Sequence, residues 1–428
     1  MTIAPNLAAP RSFEEQPRVL GRRAWAVLAG AAGASGVALG LTASHGVFAA
    51  SAALEAEMAL ILVAVSTCLQ FGLGPVVGAM SDRFGVRRVV AAGASALAAG
   101  GAAAGELPAA AGAVAYAAGT GVAGACTLTP LLATVSGWFG RHRTLALGLL
   151  LTGSGAVALF LPSLLTALLV DHGVGGTWPG RAAGISGAVL MLFAMTAVAQ
   201  PPTGRSAGTS DAKERLPSWR QLARAVAGDR FLRRFYLSGL VSATGGAFIP
   251  TTFLVPLALE RGLTAQDGAA LVSLLAVAGL VSRLVLPALL VTRWSARQVY
   301  LASHLVLAAS YLAWAASAVT AASLFLFVVG FGLAFGVWTT VAPTVVADAC
   351  PDRLGTVLGF LYSAPALGGP LGAVVAGLLW SASGDAAWLA VVGSSSLVLA
   401  WWVLLSPSPA PSAAQRRSAR PATALSPT

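Results

Sequence analysis

Acidic residues are scarce. The 428-residue chain has 15 Asp and Glu against 26 Arg and Lys, and Lys213 is its only lysine. Charged residues make up 10% of the total, where a soluble domain carries roughly 25%. So little charge cannot cover a water-facing surface, which excludes an ordinary soluble enzyme, a disordered chain and a nucleic-acid binder. Cysteine is also rare. Cys68, Cys126 and Cys350 provide no disulfide framework. No G-x-x-x-x-G-K precedes Lys213, so there is no phosphate-binding loop and ATP is not the driver. No cofactor is implied, and no metal cluster.

Apolar residues, at 57%, fill long runs. A bilayer-spanning helix needs roughly 20 mostly apolar residues. Twelve stretches qualify: 24–50, 58–79, 88–106, 108–135, 143–170, 182–200, 233–259, 268–292, 298–319, 321–347, 354–380 and 386–405. The predicted class is an all-α integral membrane protein. The first run is too long for a signal-peptide core and lacks a convincing cleavage site, so it reads as retained.

Basic residues set the topology. All but three of the 26 fall in alternate connections and the two tails. Arg181 and Arg261 are on the other side, and Arg283 is inside a helix. The positive-inside bias places both termini in the cytoplasm. A miscounted helix would scramble this alternation. The expected organisation is a tail at 1–23, six helices at 24–200, a linker at 201–232, six helices at 233–405 and a tail at 406–428. The linker begins rich in Pro, Gly and Ser. Its end, Pro217 to Arg234, sets Trp219, Leu222 and Val226 among arginines, as in a basic helix lying on a membrane surface.

The halves repeat. Gly78 and Pro287 lie 209 residues apart in corresponding helices, and Arg143 and Arg353 lie 210 apart. A glycine follows each arginine, Gly148 and Gly359. Two parallel six-helix repeats around a midplane site describe a transporter. The connection after the second run reads Gly78-Ala-Met-Ser-Asp82-Arg83-Phe-Gly85-Val-Arg87-Arg88. This resembles the signature of the major facilitator superfamily, which implies twelve helices in two pseudo-symmetric bundles. Gly78 permits close packing and Gly85 a tight turn. Asp82 can sit at the positive end of a neighbouring helix or pair with arginines. With Arg83, Arg87, Arg88, Arg141, Arg143 and Arg353 it forms a candidate conformational latch. In the second half Val291 stands where Asp82 does, and only Arg293 and Arg297 echo the basic cluster.

A narrower likeness follows. The stretch Gly40 to Phe48, the pair Gly119 and Gly121 leading to Pro130, and Trp138 to Gly148 with Gly153 and Gly155 are together similar to the monocarboxylate transporter family. Bacterial members and oxalate/formate exchangers look most alike. Animal members carry a first-helix lysine, where this chain has Ala43 and His45. They also carry an aspartate one turn before the eighth-helix arginine, where this chain has Gly279. The resemblance implies that Cys126, Trp338 and Tyr362 lie on cavity-lining helices.

Arg283 is the leading site candidate. It follows Asp267 by 16 residues and precedes Arg293 by 10, about 24 and 15 Å along a helix and so near the midplane. No Asp or Glu lies deep in any run, so a substrate carboxylate is its natural partner. His45 is the second candidate, as a carboxylate donor or the carrier of a coupled proton. His304 reads as structural. Gly33-Ala-Ser35-Gly36 resembles an intramembrane serine protease nucleophile, but such a tetrapeptide is expected by chance in a chain this rich in small residues. The sequence therefore predicts a non-enzymatic, monomeric, proton-coupled carrier of lactate- or pyruvate-like monocarboxylates in a bacterial inner membrane. The alternative is a carboxylate exchanger.

Overall fold

The computed structural model describes residues 21–45, 48, 56–165, 167, 178–199, 219–317, 321–350, 354–385 and 387–405. The predicted N-terminal tail up to residue 20, the C-terminal tail, the start of the linker and Arg353 lie outside the described residues. Fifteen α-helices follow one another, with no strand among the described residues: α1 Arg22–Ala43, α2 Ala56–Gly72, α3 Gly74–Phe84, α4 Val86–Glu106, α5 Ala109–Phe139, α6 Arg143–Leu165, α7 Trp178–Ala197, α8 Trp219–Gly228, α9 Arg230–Ser242, α10 Ile249–Glu260, α11 Ala265–Arg293, α12 Ala296–Ala316, α13 Ala321–Ala349, α14 Leu354–Ser383 and α15 Ala387–Leu405.

Nine of these are long and apolar enough to cross a membrane. The pair α2 and α3 makes a tenth span, bent by 46° where Gly72, Leu73 and Gly74 precede Pro75. Pro75 sits in the first turn of α3, where its missing N–H is tolerated, and it could not continue the α2 hydrogen-bond ladder. The seventh predicted run is also interrupted. A π-helical turn at Ala243–Ala247 separates α9 from α10, with Gly245 and Gly246 pressed against Ser396 and Leu397 of α15. α1 ends at Ala43 with a turn at Ser44, and His45 lies just past it on helical backbone that resumes there.

The predicted surface helix ends at Gly228. Asp229 then caps α9, accepting the Leu232 N–H at 2.9 Å. Val226 is buried in the core, and α8 touches α9 and α3.

Helices α1 to α7 pack on one another, as do α9 to α15. Each group carries the same clamp on its last helix. Arg87 donates to the Val198 and Thr196 carbonyls at the end of α7. Arg297, 210 positions later, donates to the Leu404 carbonyl at the end of α15 at 2.7 Å. Each supplies donors to carbonyls that a helix end leaves unpaired. The groups meet mainly along α3 with α14 and α6 with α11, as two pseudo-symmetric bundles require.

Candidate functional site

Glycine builds both seams. On one, a Cβ on Gly148 of α6 would collide with the Arg283 carbonyl oxygen of α11. On the other, a Cβ on Gly359 of α14 would collide with the Gly74 carbonyl oxygen of α3. Gly74 and Arg283 lie 209 residues apart, and Gly148 and Gly359 lie 211 apart, so the two contacts are one contact repeated. Gly78 likewise admits the Gly355 carbonyl. No side chain fits at these crossings, and the helix backbones touch.

Arg283 stands on the α6–α11 seam. Its backbone meets Gly148, and its Nη1 lies 3.7 Å from where a Gly155 Cβ would sit. Its Nε is buried and makes no hydrogen bond. No ion pair among the described residues includes it. Tyr362 of α14 lies within electrostatic range of the guanidinium. Where animal members carry an aspartate, Gly279 faces α13: a Cβ on Gly332 would lie 2.7 Å from the Leu275 carbonyl, and Gly336 abuts Ser282 and the Gly279 carbonyl. A Cβ on Gly279 itself would meet only the Gly332 carbonyl oxygen, at 3.5 Å. Thr340 of α13 is fully buried, its hydroxyl without a partner, beside Gly148.

The other candidates disperse. His45 is fully buried in the first group of helices. Its Nε2 lies 3.1 Å from Thr120 Oγ1, its Nδ1 3.5 Å from Ser66 Oγ, and the Thr42 carbonyl also faces the ring. The Thr120 and Ser66 hydroxyls already donate, to the Ala117 and Val63 carbonyls. Every partner of the ring is thus an acceptor, and both ring nitrogens are free to carry protons. Cys126 turns towards α4, where a Cβ on Gly93 would lie 2.5 Å from its own Cβ. Trp338 is buried, with its indole N–H given to His304 at 3.2 Å. Tyr362 comes within electrostatic range of Arg283.

The basic connections share one end of the molecule. Gly85 takes φ +85°, a conformation only glycine adopts easily, and turns α3 into α4. Asp82 then reaches the start of α14. Its Oδ2 accepts from the Thr356 N–H at 2.8 Å and the Thr356 hydroxyl at 2.7 Å, which supplies a first-turn N–H with an anionic acceptor. Arg83 covers the Phe84 ring, 5.1 Å from its centroid, and Arg88 is exposed. Arg141 stands on a 3₁₀ turn before α6, and Arg143 opens α6 and pairs with Asp348 of α13 at 2.9 Å. Thr144 and Thr344 meet beside that pair at 3.2 Å. Thr356, Asp348 and the two threonines were missed by motif reading.

Two helical bundles joined through glycine seams, with Arg283 on one seam in no ion pair among the described residues, are the architecture of a secondary transporter. The chain belongs to the Major Facilitator Superfamily, whose family model matches residues 24–344. Among curated proteins it is similar to MFS transporter asaE of Aspergillus flavus, at 26% identity over 90% of this chain and 87% of that protein. It is 29% identical to monocarboxylate transporter 13 of Rattus norvegicus, over 89% and 88%. Monocarboxylate transporter 11 of Homo sapiens is 31% identical, over 61% of this chain and 55% of that protein. Among solved structures, a bacterial homologue of the iron transporter ferroportin in an outward-facing state shares the fold, with TM-score 0.68 and 16% identity over 90% of this chain and 99% of that one.

Proposed function

We propose that the chain is a proton-coupled carrier of small organic monocarboxylates, lactate- and pyruvate-like, in a bacterial inner membrane, with both termini cytoplasmic. One observation carries this reading: a guanidinium on the seam between the bundles has a buried Nε without a hydrogen bond and no acidic partner among the described residues. A substrate carboxylate supplies the missing acceptor and fits a guanidinium fork in two parallel hydrogen bonds. A single cation favours a monoanion. The relatives named monocarboxylate transporters support the same substrate class.

The basic end is then the cytoplasmic gate, closed by Asp82 on Thr356, by Arg143 on Asp348 and by the glycine seams. Substrate enters from the opposite side and meets Arg283. Rocking of the bundles opens the gate and closes the far side. His45, ringed by acceptors, carries the coupled proton. The chain acts as a monomer.

Exchange is the second reading, and Gly279 favours it: without the acid one turn before Arg283, no Asp–Arg pair exists to take up the proton there. Proteoliposomes separate the two. A symporter accumulates labelled lactate or pyruvate when a pH gradient is imposed, and oxalate poorly. An exchanger ignores the gradient and takes up label only into vesicles preloaded with acid.

A further inference from the structure

Thr340 on α13 departs from its neighbours. A buried helical threonine returns its hydroxyl to a carbonyl one turn back or spends it on an adjacent side chain. Thr339 donates to the Phe335 and Gly336 carbonyls at 2.9 and 3.1 Å, and Thr344 shares a hydrogen bond with Thr144 at 3.2 Å. Thr340 is fully buried, and its hydroxyl makes no hydrogen bond. Glycines fix where it stands. A Cβ on Gly332 would lie 2.7 Å from the Leu275 carbonyl oxygen of α11, and a Cβ on Gly336 would collide with the Gly279 carbonyl oxygen. Both pairs are 57 positions apart. Thr340 is one turn beyond Gly336, and the same register sets it level with Arg283. A third helix joins them. On α6, a Cβ on Gly148 would collide with the Arg283 carbonyl oxygen and lie 3.5 Å from the Thr340 methyl.

Two buried donors without acceptors, the Arg283 Nε and the Thr340 hydroxyl, thus belong to residues at one three-helix crossing. Buried donors are rarely left unmet, and a ligand with two oxygens meets both. We propose that Thr340 is the specificity residue of the carboxylate site: its hydroxyl binds the oxygen on C2 of the substrate while Arg283 holds the carboxylate, so the carrier selects 2-oxo and 2-hydroxy acids over unsubstituted ones. This rests on the reading of Arg283 as the carboxylate anchor. A keto oxygen accepts from the hydroxyl, and a 2-hydroxyl donates or accepts. An unsubstituted acid sets a methylene there and leaves the buried hydroxyl unpaired.

The test is isothermal calorimetry of pyruvate, lactate and propionate with the purified full-length chain. The wild type is expected to bind propionate about tenfold more weakly than pyruvate or lactate, the size of one buried hydrogen bond. Thr340→Val keeps the shape and removes the hydroxyl. It should weaken pyruvate and lactate about tenfold and leave propionate unchanged, so that the preference disappears. Its melting temperature should not fall, because no protein group loses a partner. Thr340→Ala repeats the loss of the hydroxyl should the valine variant fold poorly, and Thr340→Ser, which keeps the hydroxyl, should keep the preference. The proposal is overturned if the wild type binds propionate as tightly as pyruvate, if Thr340→Val weakens all three acids alike or none of them, or if Thr340→Ser loses the preference. Arg283→Ala runs beside them. Loss of all three acids in that variant, with no effect of Thr340→Val, overturns the role of Thr340 alone. Wild-type affinity in Arg283→Ala overturns the anchor reading, and this proposal with it.

Discussion

A guanidinium near the bilayer midplane costs roughly 3 to above 10 kcal/mol when nothing meets it. Arg283 was legible in the sequence for that reason: position and the lack of deep acids mark it without a fold. Its surroundings were not legible. That Gly148 would let the Arg283 backbone approach α6, and that Gly332 and Gly336 are spent on the crossing of α11 with α13, depend on which helices touch. His45 was legible as a buried titratable group, but its acceptor-only shell needed Thr120 and Ser66 placed around it. At this scale two outcomes are expected. His45→Ala should abolish stimulation of uptake by an inward pH gradient while substrate exchange continues; full gradient-driven uptake by the variant would route the proton elsewhere. Arg283→Lys should bind carboxylates poorly, because an ammonium cannot form the fork; calorimetry on purified protein reads this, and near-normal affinity would make the contact one of charge alone.

Helix count and order follow from hydropathy, because each span must be apolar along its length. Breaks within spans do not. The bend at Leu73 and the π turn at Ala243–Ala247 leave apolar composition unchanged. The Asp82 turn was readable as a motif, and Thr356 became its partner only when α3 met α14. Magnitudes rank the gate contacts. Arg143 and Asp348 keep 28% and 52% of their side-chain surface exposed, and such pairs are worth about 0–1 kcal/mol. Asp82 holds a helix N-terminus with two charge-assisted bonds, an arrangement worth up to ~2 kcal/mol. Asp82→Asn should therefore slow transport several-fold with affinity near normal, and Asp348→Asn should do less. Initial rates and KM in vesicles check the order; a larger effect at Asp348 would place the latch on α13. Gly359→Leu should stop transport outright, since its side chain would meet the α3 backbone, while the purified variant still melts cooperatively. Normal turnover by that variant would mean that the seam does not close during the cycle.

Across the whole molecule, the repeat ties these parts together. The two seams are one contact used twice, with a glycine at position 74 and an arginine at 283. The fold supplies a symmetric pair of bundles, and on the proposed reading Arg283 on one seam makes it selective. Sequence spacing announced the repeat through offsets of 209 and 210. It did not announce that Cys126 and Trp338 face inward to their own bundles, since an apolar helix gives no signal of which face turns to the cavity. The central claim is that Arg283 holds the substrate carboxylate. Its most direct test is isothermal calorimetry of pyruvate and lactate with purified wild-type and Arg283→Ala protein, beside melting curves without ligand. The account predicts loss of binding for both acids with the fold intact, because removing an unpaired buried charge leaves no orphaned protein partner. Near-normal affinity in the alanine variant would contradict it.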